Sequence, residues 1–206
     1  MKKVVLLITI LFVSVISTAC INNLAVQELN NKAKEYMANG ETEKAICRLR
    51  SSIDLDTSIF ETHYNLGVAL IEVKEYEEAQ TALENAIKLK PDFADSYYSL
   101  AMAFEGQADK LITGEPEDDN KTAETSDDKA KVLSDSEKIK VVELLNSAVD
   151  NYNKYLVKKP DAQDKDKVSE QINYINGEIQ KYNSSQSSSV DDLTNVSPSK
   201  SQGTQE

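Results

Sequence analysis

Leu66, Leu70, Leu83 and Ile87 fall at helical spacing, as one face of a helix pair requires. Val142, Leu145, Ala148, Tyr152 and Leu156 form a second apolar stripe of this kind. Val168, Ile172, Ile175, Ile179 and Tyr182, spaced 4, 3, 4 and 3, form a third with a polar opposite face. The pattern predicts an all-α chain. It also repeats on a longer scale. A shift of 34 residues places Ala45 on Ala79, Leu49 on Leu83, Ile53 on Ile87 and Leu55 on Leu89. A second shift places Tyr64 on Tyr98, Leu66 on Leu100, Gly67 on Ala101 and Leu70 on Phe104. Small residues land on small and large on large. Gly67 and Ala79 let two antiparallel helices approach closely, and Pro91 cannot continue a helix and so separates hairpins. No single hairpin buries its own apolar face, so neighbours must stack.

The run Tyr64-Asn65-Leu66-Gly67-x-Ala69, then Tyr76-Glu77-Glu78-Ala79, then Ala86-Ile87-x-Leu89-x-Pro91 closely resembles a tetratricopeptide repeat (TPR). Residues 60–93 carry the full motif. Residues 26–59 form a degenerate copy, with Gly40 at the turn and Thr57 where the family usually has Pro. The third copy, 94–160, is split: Ala69 to Ala79 in the second copy corresponds to Ala103 to Ala148 in the third, a 35-residue insertion. Its first helix is expected to extend to about Ile112, and Ser134-x-x-Glu137 reads as a capping box opening the next. The intervening loop, about 106–137, holds ten acids against four Lys. Its centre is too poor in large apolar residues to offset ordering entropy, and is expected to be a solvated, disordered loop. The stripe at about 165–183 is expected to cap the array, and 184–206 to be a disordered Ser/Gln-rich tail. The whole TPR domain would span 26–183, a solenoid of about three repeats plus a capping helix.

The N-terminus reads as an address. Met1-Lys2-Lys3 is positive, Val4 to Ile16 is almost entirely apolar, and Ser17-Thr18-Ala19-Cys20 follows. The apolar run falls short of the roughly 20 residues a bilayer span needs. This order resembles a bacterial lipoprotein precursor, in which the signal, here 1–19, is removed and the Cys receives a diacylglycerol. The resemblance implies lipid attachment at Cys20, a linker at 20–25 and an extracytoplasmic, membrane-anchored location. Cys47 then lacks an intramolecular partner and is expected to be packed in a helix face.

Composition narrows the chemistry. With 23 Lys and Arg against 35 Asp and Glu, the net charge is −12. An acidic chain without a basic cluster is a poor nucleic-acid binder. One His, two Cys and no Trp argue against a zinc site or a Cys–His nucleophile pair, and no cofactor, metal site or catalytic residue is expected. His63 is expected to pack against the preceding hairpin. Asp118-Asp119-Asn120 lacks EF-hand spacing.

The TPR resemblance implies a concave groove, lined by the first helix of each repeat, that holds a peptide or a partner's helix. Carried over by alignment, its residues would be Asn30, Lys34 and Met37, then Tyr64, Asn65, Val68 and Ile71, then Tyr98, Ser99 and Met102. Tyr64, Asn65, Val68, Ile71, Tyr98 and Met102 are the partner-binding candidates, the alternative being that the protein's own C-terminal helix or tail covers this strip. Some family members grip a terminal carboxylate with basic residues, but Asp95 and Ser99 stand where these would be needed. The leading expectation is a non-enzymatic scaffold or assembly factor of the cell envelope. The alternatives are a binding module for a glycan or small molecule and, last, an enzyme.

Overall fold

The computed structural model describes residues 23–114 and 132–191. The signal segment, Cys20, the centre of the acidic insertion and the end of the tail lie outside these residues. Among the described residues the structure is entirely helical: α1 (23–38), α2 (Thr42–Leu55), α3 (Phe60–Glu72), α4 (Tyr76–Leu89), α5 (Ala94–Thr113), α6 (Asp135–Lys158) and α7 (Lys165–Asp191). Each helix packs mainly on its neighbours in sequence, and α3 also touches α5. Three hairpins, α1–α2, α3–α4 and α5–α6, therefore stack in a row with α7 on the last. No helix is long and apolar enough to cross a membrane among the described residues.

The 34-residue register is visible in detail. The turn inside the first hairpin has Gly40 at φ +72, and the turn inside the second has Lys74 at φ +62. The geometry thus demands a left-handed residue there even where the side chain opposes it, at a cost of roughly 1–2 kcal/mol. His63 Nε2 meets the Thr57 carbonyl at 2.9 Å. One repeat later the Tyr97 hydroxyl donates to the Pro91 carbonyl at 3.0 Å. Both rings are buried against the connection that precedes their helix, which gives His63 a structural role.

The core has two parts. Leu49, Leu70 and Leu83, all fully buried, centre one cluster that joins α1–α4 to the near side of α5. Tyr97, Val141, Leu145, Tyr152, Val168 and Ile175 belong to the other, which joins α5, α6 and α7. Helix α5 contributes to both.

Two boundaries differ from expectation, at 23–25 and past 184, while the two that flank the insertion fall where the helix signals put them. Residues 23–25, expected in a linker, are already helical. Helix α5 runs to Thr113, as expected of a helix reaching about Ile112, so the first residues of the 106–137 span are helical, and Gly106 packs there against the Tyr76 ring, which occupies the place a Cβ would take. Helix α6 begins at Asp135, directly after the Ser134 cap. Its capping box is formed as expected, with Ser134 Oγ accepting from Glu137 N at 3.3 Å and Ser134 N donating to Glu137 Oε2 at 2.8 Å. Helix α7 runs to Asp191, past the expected start of the tail at 184, since no Gly or Pro interrupts that stretch. Cys47 is exposed, not packed. The buried face of α2 is Ala45, Ile46, Leu49 and Ser52, and position 47 turns away from it.

Candidate functional site: a cleft between α5 and α7

Helix α5 turns Tyr98, Met102, Glu105 and Asp109 to one side, at intervals of three and four residues. Helix α7 faces it with Val168, Gln171, Tyr174, Ile175, Glu178 and Tyr182. Between them lies a cleft of about 620 Å³, closed at its sides by Ile71, Tyr76, Leu145 and Tyr152. That volume is in the range of ligand-binding clefts, roughly 300–1,000 Å³.

The expected groove residues divide. Ile71, Tyr98 and Met102 line this cleft. Met102 is 38% exposed, whereas the Tyr98 ring is held edge-on against Tyr152 and tilted against Tyr155, with centroids 5.5 and 5.3 Å away. Tyr64, Asn65 and Val68 are only partly exposed and stand outside its lining. The Tyr64 ring packs edge-on against Phe93 at 5.0 Å, and its hydroxyl engages the Ser99 side chain. Asn65 Nδ2 is buried without a hydrogen-bond partner. Asn30 stands outside this cleft and lines a separate N-terminal one. Its Nδ2 donates to Val26 O at 3.0 Å, and to Ser52 Oγ and Thr62 Oγ1 at 2.9 Å each, so it ties α1 to α2 and α3. Lys34 lines the same N-terminal cleft, of about 420 Å³, Met37 packs on the first core cluster, and Ser99 is buried. Asp95 bonds Lys159 Nζ at 2.9 Å.

The polar centre of the cleft is Glu105. It accepts hydrogen bonds from the Tyr152 hydroxyl and from Gln171 Nε2, which link α5 to α6 and to α7. Both donors are neutral, and no Lys or Arg among the described residues pairs with Glu105. Asp109, Asp164 and Glu178 also line the cleft, against one cation, Lys167. Asp164 accepts from the Tyr155 hydroxyl at 2.7 Å, and Glu178 pairs with Lys181. Sequence reasoning missed Glu105, Asp109 and the whole α7 wall. The signal was present: Glu105 and Asp109 continue the Tyr98–Met102 face at helical spacing.

Burial, reinforced by the Glu105 charge and hydrogen bond, pushes the Tyr152 hydroxyl far above its ordinary value of 10.0. Burial and the Asp164 carboxylate do the same to Tyr155. Groups held neutral in the fold contribute stability that is complete below their unfolded pKa and is lost as pH rises towards the folded one. Unfolding free energy is therefore expected to fall steadily above about pH 10. Denaturant titrations at neutral and alkaline pH check this. In Tyr152→Phe the slope should be shallower, and an identical slope would exclude Tyr152 as its source.

The comparisons with known proteins agree with this geometry. A TPR-repeat family model matches residues 69–107, the end of α3 through most of α5. No curated protein sequence matches the chain. Among solved structures, the second TPR domain of human RPAP3, in complex with an HSP70 peptide, superposes with a TM-score of 0.54 at 14% identity, covering 74% of this chain and 98% of that one. The TPR domain of Arabidopsis OM64 gives 0.54 at 12% identity, with 73% and 96% covered. The Sgt2 TPR domain from Aspergillus fumigatus gives 0.54 at 14%, with 88% and 89% covered. Identities this low speak to architecture alone, and with the family match and the 34-residue register they make the fold of this chain an all-α TPR solenoid of three helical hairpins and a terminal helix.

Proposed function

We propose that this protein is a lipid-anchored extracytoplasmic scaffold that holds a protein partner at a bacterial membrane and performs no catalysis. The observation that carries the binding half is the cleft between α5 and α7, with apolar and tyrosine side chains along an exposed Met102. Tyr and Met suit adaptable recognition surfaces. The human RPAP3 domain of the same fold takes a peptide, which supports reading the cleft as a protein-binding one. The anchoring half rests on the signal-like N-terminus and Cys20. Two or three acyl chains hold firmly, at about 0.8 kcal/mol per buried CH₂.

A photo-crosslinking side chain at Met102, with one at exposed Arg48 on α2 as control, tests this in cells. A discrete protein adduct from position 102 alone is expected. The same adducts from both positions, or none from 102 while a cell-wall fragment raises the melting temperature, would replace the scaffold reading with that of a ligand-binding module. Cys20→Ser is expected to move the protein out of the membrane fraction, and unchanged partitioning would remove the anchor.

A further inference from the structure

We infer that the α5–α7 cleft selects a cationic, amphipathic segment of its protein partner, with Glu105 and Asp109 receiving Lys or Arg side chains. This rests on the reading of the cleft as a protein-binding site and adds the chemistry of what binds. Four observations support it. Glu105 lies inside the cleft, half-buried, and is fixed by two neutral donors from two other helices, so its charge has no counterion among the described residues. Asp109 stands one helical turn further along the same face, without an ion pair among the described residues. The two acids are in register along α5 and match cations repeated along a chain, and no group of three or more acids, His or Cys placed to hold a metal ion occurs among the described residues. Tyr174, 63% exposed, and the partly exposed Tyr182 supply rings on the α7 side of these acids, and ammonium or guanidinium groups are favoured near tyrosine faces. Ile71 and Met102 provide the apolar counterpart for the other side of the segment.

The chain's own undescribed segments fit poorly. Residues 115–131 follow directly on α5 but carry seven acids against three Lys, and 192–206 carry two acids and one Lys. Only 1–22, with Lys2, Lys3 and no acid, has the right charge. An anionic C-terminal peptide would meet Glu105, Asp109, Asp164 and Glu178 and be repelled.

Fluorescence anisotropy with three short amphipathic probes, alternating Leu with Lys, with Gln or with Glu at helical spacing, tests the inference on the full chain. The Leu/Lys probe is expected to bind best, the Leu/Glu probe not to bind, and affinity to fall as salt rises. Glu105→Gln is expected to weaken Leu/Lys binding about tenfold, the size of a charge contact worth about 1.4 kcal/mol. Asp109→Asn, which breaks no hydrogen bond to its carboxylate, should weaken it in the same direction, so a folding defect at Glu105 would not decide the outcome. Glu43→Gln, exposed on α2, makes the same charge change away from the cleft and is expected to leave binding unchanged. Carbodiimide coupling should join the probe's Lys to Glu105 or Asp109. Equal binding of the three probes, equal losses in Glu43→Gln, or coupling of these acids instead to Lys2, Lys3 or a second copy of the chain would overturn the inference. If the probes fail while position 102 still captures a protein, the scaffold reading stands with a partner of other chemistry. If both fail, that reading falls as well.

Discussion

Leu83→Ala is expected to cost about 2–5 kcal/mol of stability, and to absorb much of the cost of Gly67→Ala when the two are combined. Leu83 is fully buried at the seam between α3 and α4. A Cβ on Gly67 would lie 2.8 Å from Leu83 Cδ2 and closer still to Cγ, so the two helices approach as near as they do only because position 67 has no side chain. Alone, Gly67→Ala gains up to about 1 kcal/mol of helix propensity. It loses about 1–3 kcal/mol to overpacking, because Cγ is not the free end of a side chain that can swing away. Removing Leu83 down to Cβ leaves space that an alanine at 67 fills, so the overpacking term vanishes in the double variant and the propensity gain remains. Urea titrations of the four proteins give the coupling, expected at about 0.5–3 kcal/mol in the favourable direction. Strict additivity would mean that the seam relaxes freely and that Gly67 does not set the hairpin's spacing.

The same pair explains how much of the fold was legible in the sequence. The 34-residue register fixes which residues are small, which are large and where the chain must turn, and these are local, repeated constraints. It extends to details that single residues disguise. His63 and Tyr97 differ chemically yet occupy one place and bond one kind of carbonyl. Gly40 and Lys74 differ in every propensity yet share a left-handed turn. Where the register breaks, legibility breaks with it. The insertion removes the turn that would fall at Ala108, so α5 continues for further turns and carries Asp109 beyond the positions that a standard repeat assigns to its groove, whereas Glu105 stands 34 residues after Ile71, at a groove position. Motif alignment therefore could not reach Asp109, while Glu105 was within its reach as the counterpart of Ile71, disguised by the exchange of an apolar for an acidic side chain. Asn30 has a second role that the alignment did not report. In the degenerate first copy it pairs with Ser52 and Thr62, and the corresponding residues one repeat on are Tyr64, Ala86 and Ser96. A polar triad holds the first interface where a ring and an alanine stand in the second, and no alignment to a consensus reports such an exchange.

The α7 wall was legible only as a cap. Its apolar stripe says that one face is covered, but not that the flank of that face, Gln171, Tyr174 and Glu178, forms the second side of a cleft. That depends on the distance at which α7 docks, which tertiary packing sets.

Docking of α7 accounts for the second large effect. Ile175→Ala is expected to cost about 2–5 kcal/mol and to release α7 locally rather than to loosen the whole chain. Ile175 is 1% exposed and stands between Val168 and Ile179 on the apolar stripe by which the described side chains of α7 hold the array. Every one of these residues packs in the α5–α7 cluster and none in the α1–α5 cluster. In a solenoid the terminal element is bound by one neighbour interface only, so its opening free energy is the smallest of the helices that share that cluster. Amide exchange read segment by segment should then quicken strongly across α7 and moderately on the faces of α5 and α6 that it covers, with α2–α4 unchanged. Tyr174→Ala, at a side chain 63% exposed on the same helix, should shift stability by no more than about 0.5 kcal/mol and leave exchange as it was. With α7 undocked, Gln171 no longer reaches Glu105 and one wall of the cleft is gone, so the same substitution is expected to abolish capture from position 102 while the first two hairpins stay folded. A uniform rise in exchange along the chain would instead mean that α5 couples the two clusters into one cooperative unit, and that the cleft cannot open without unfolding the protein.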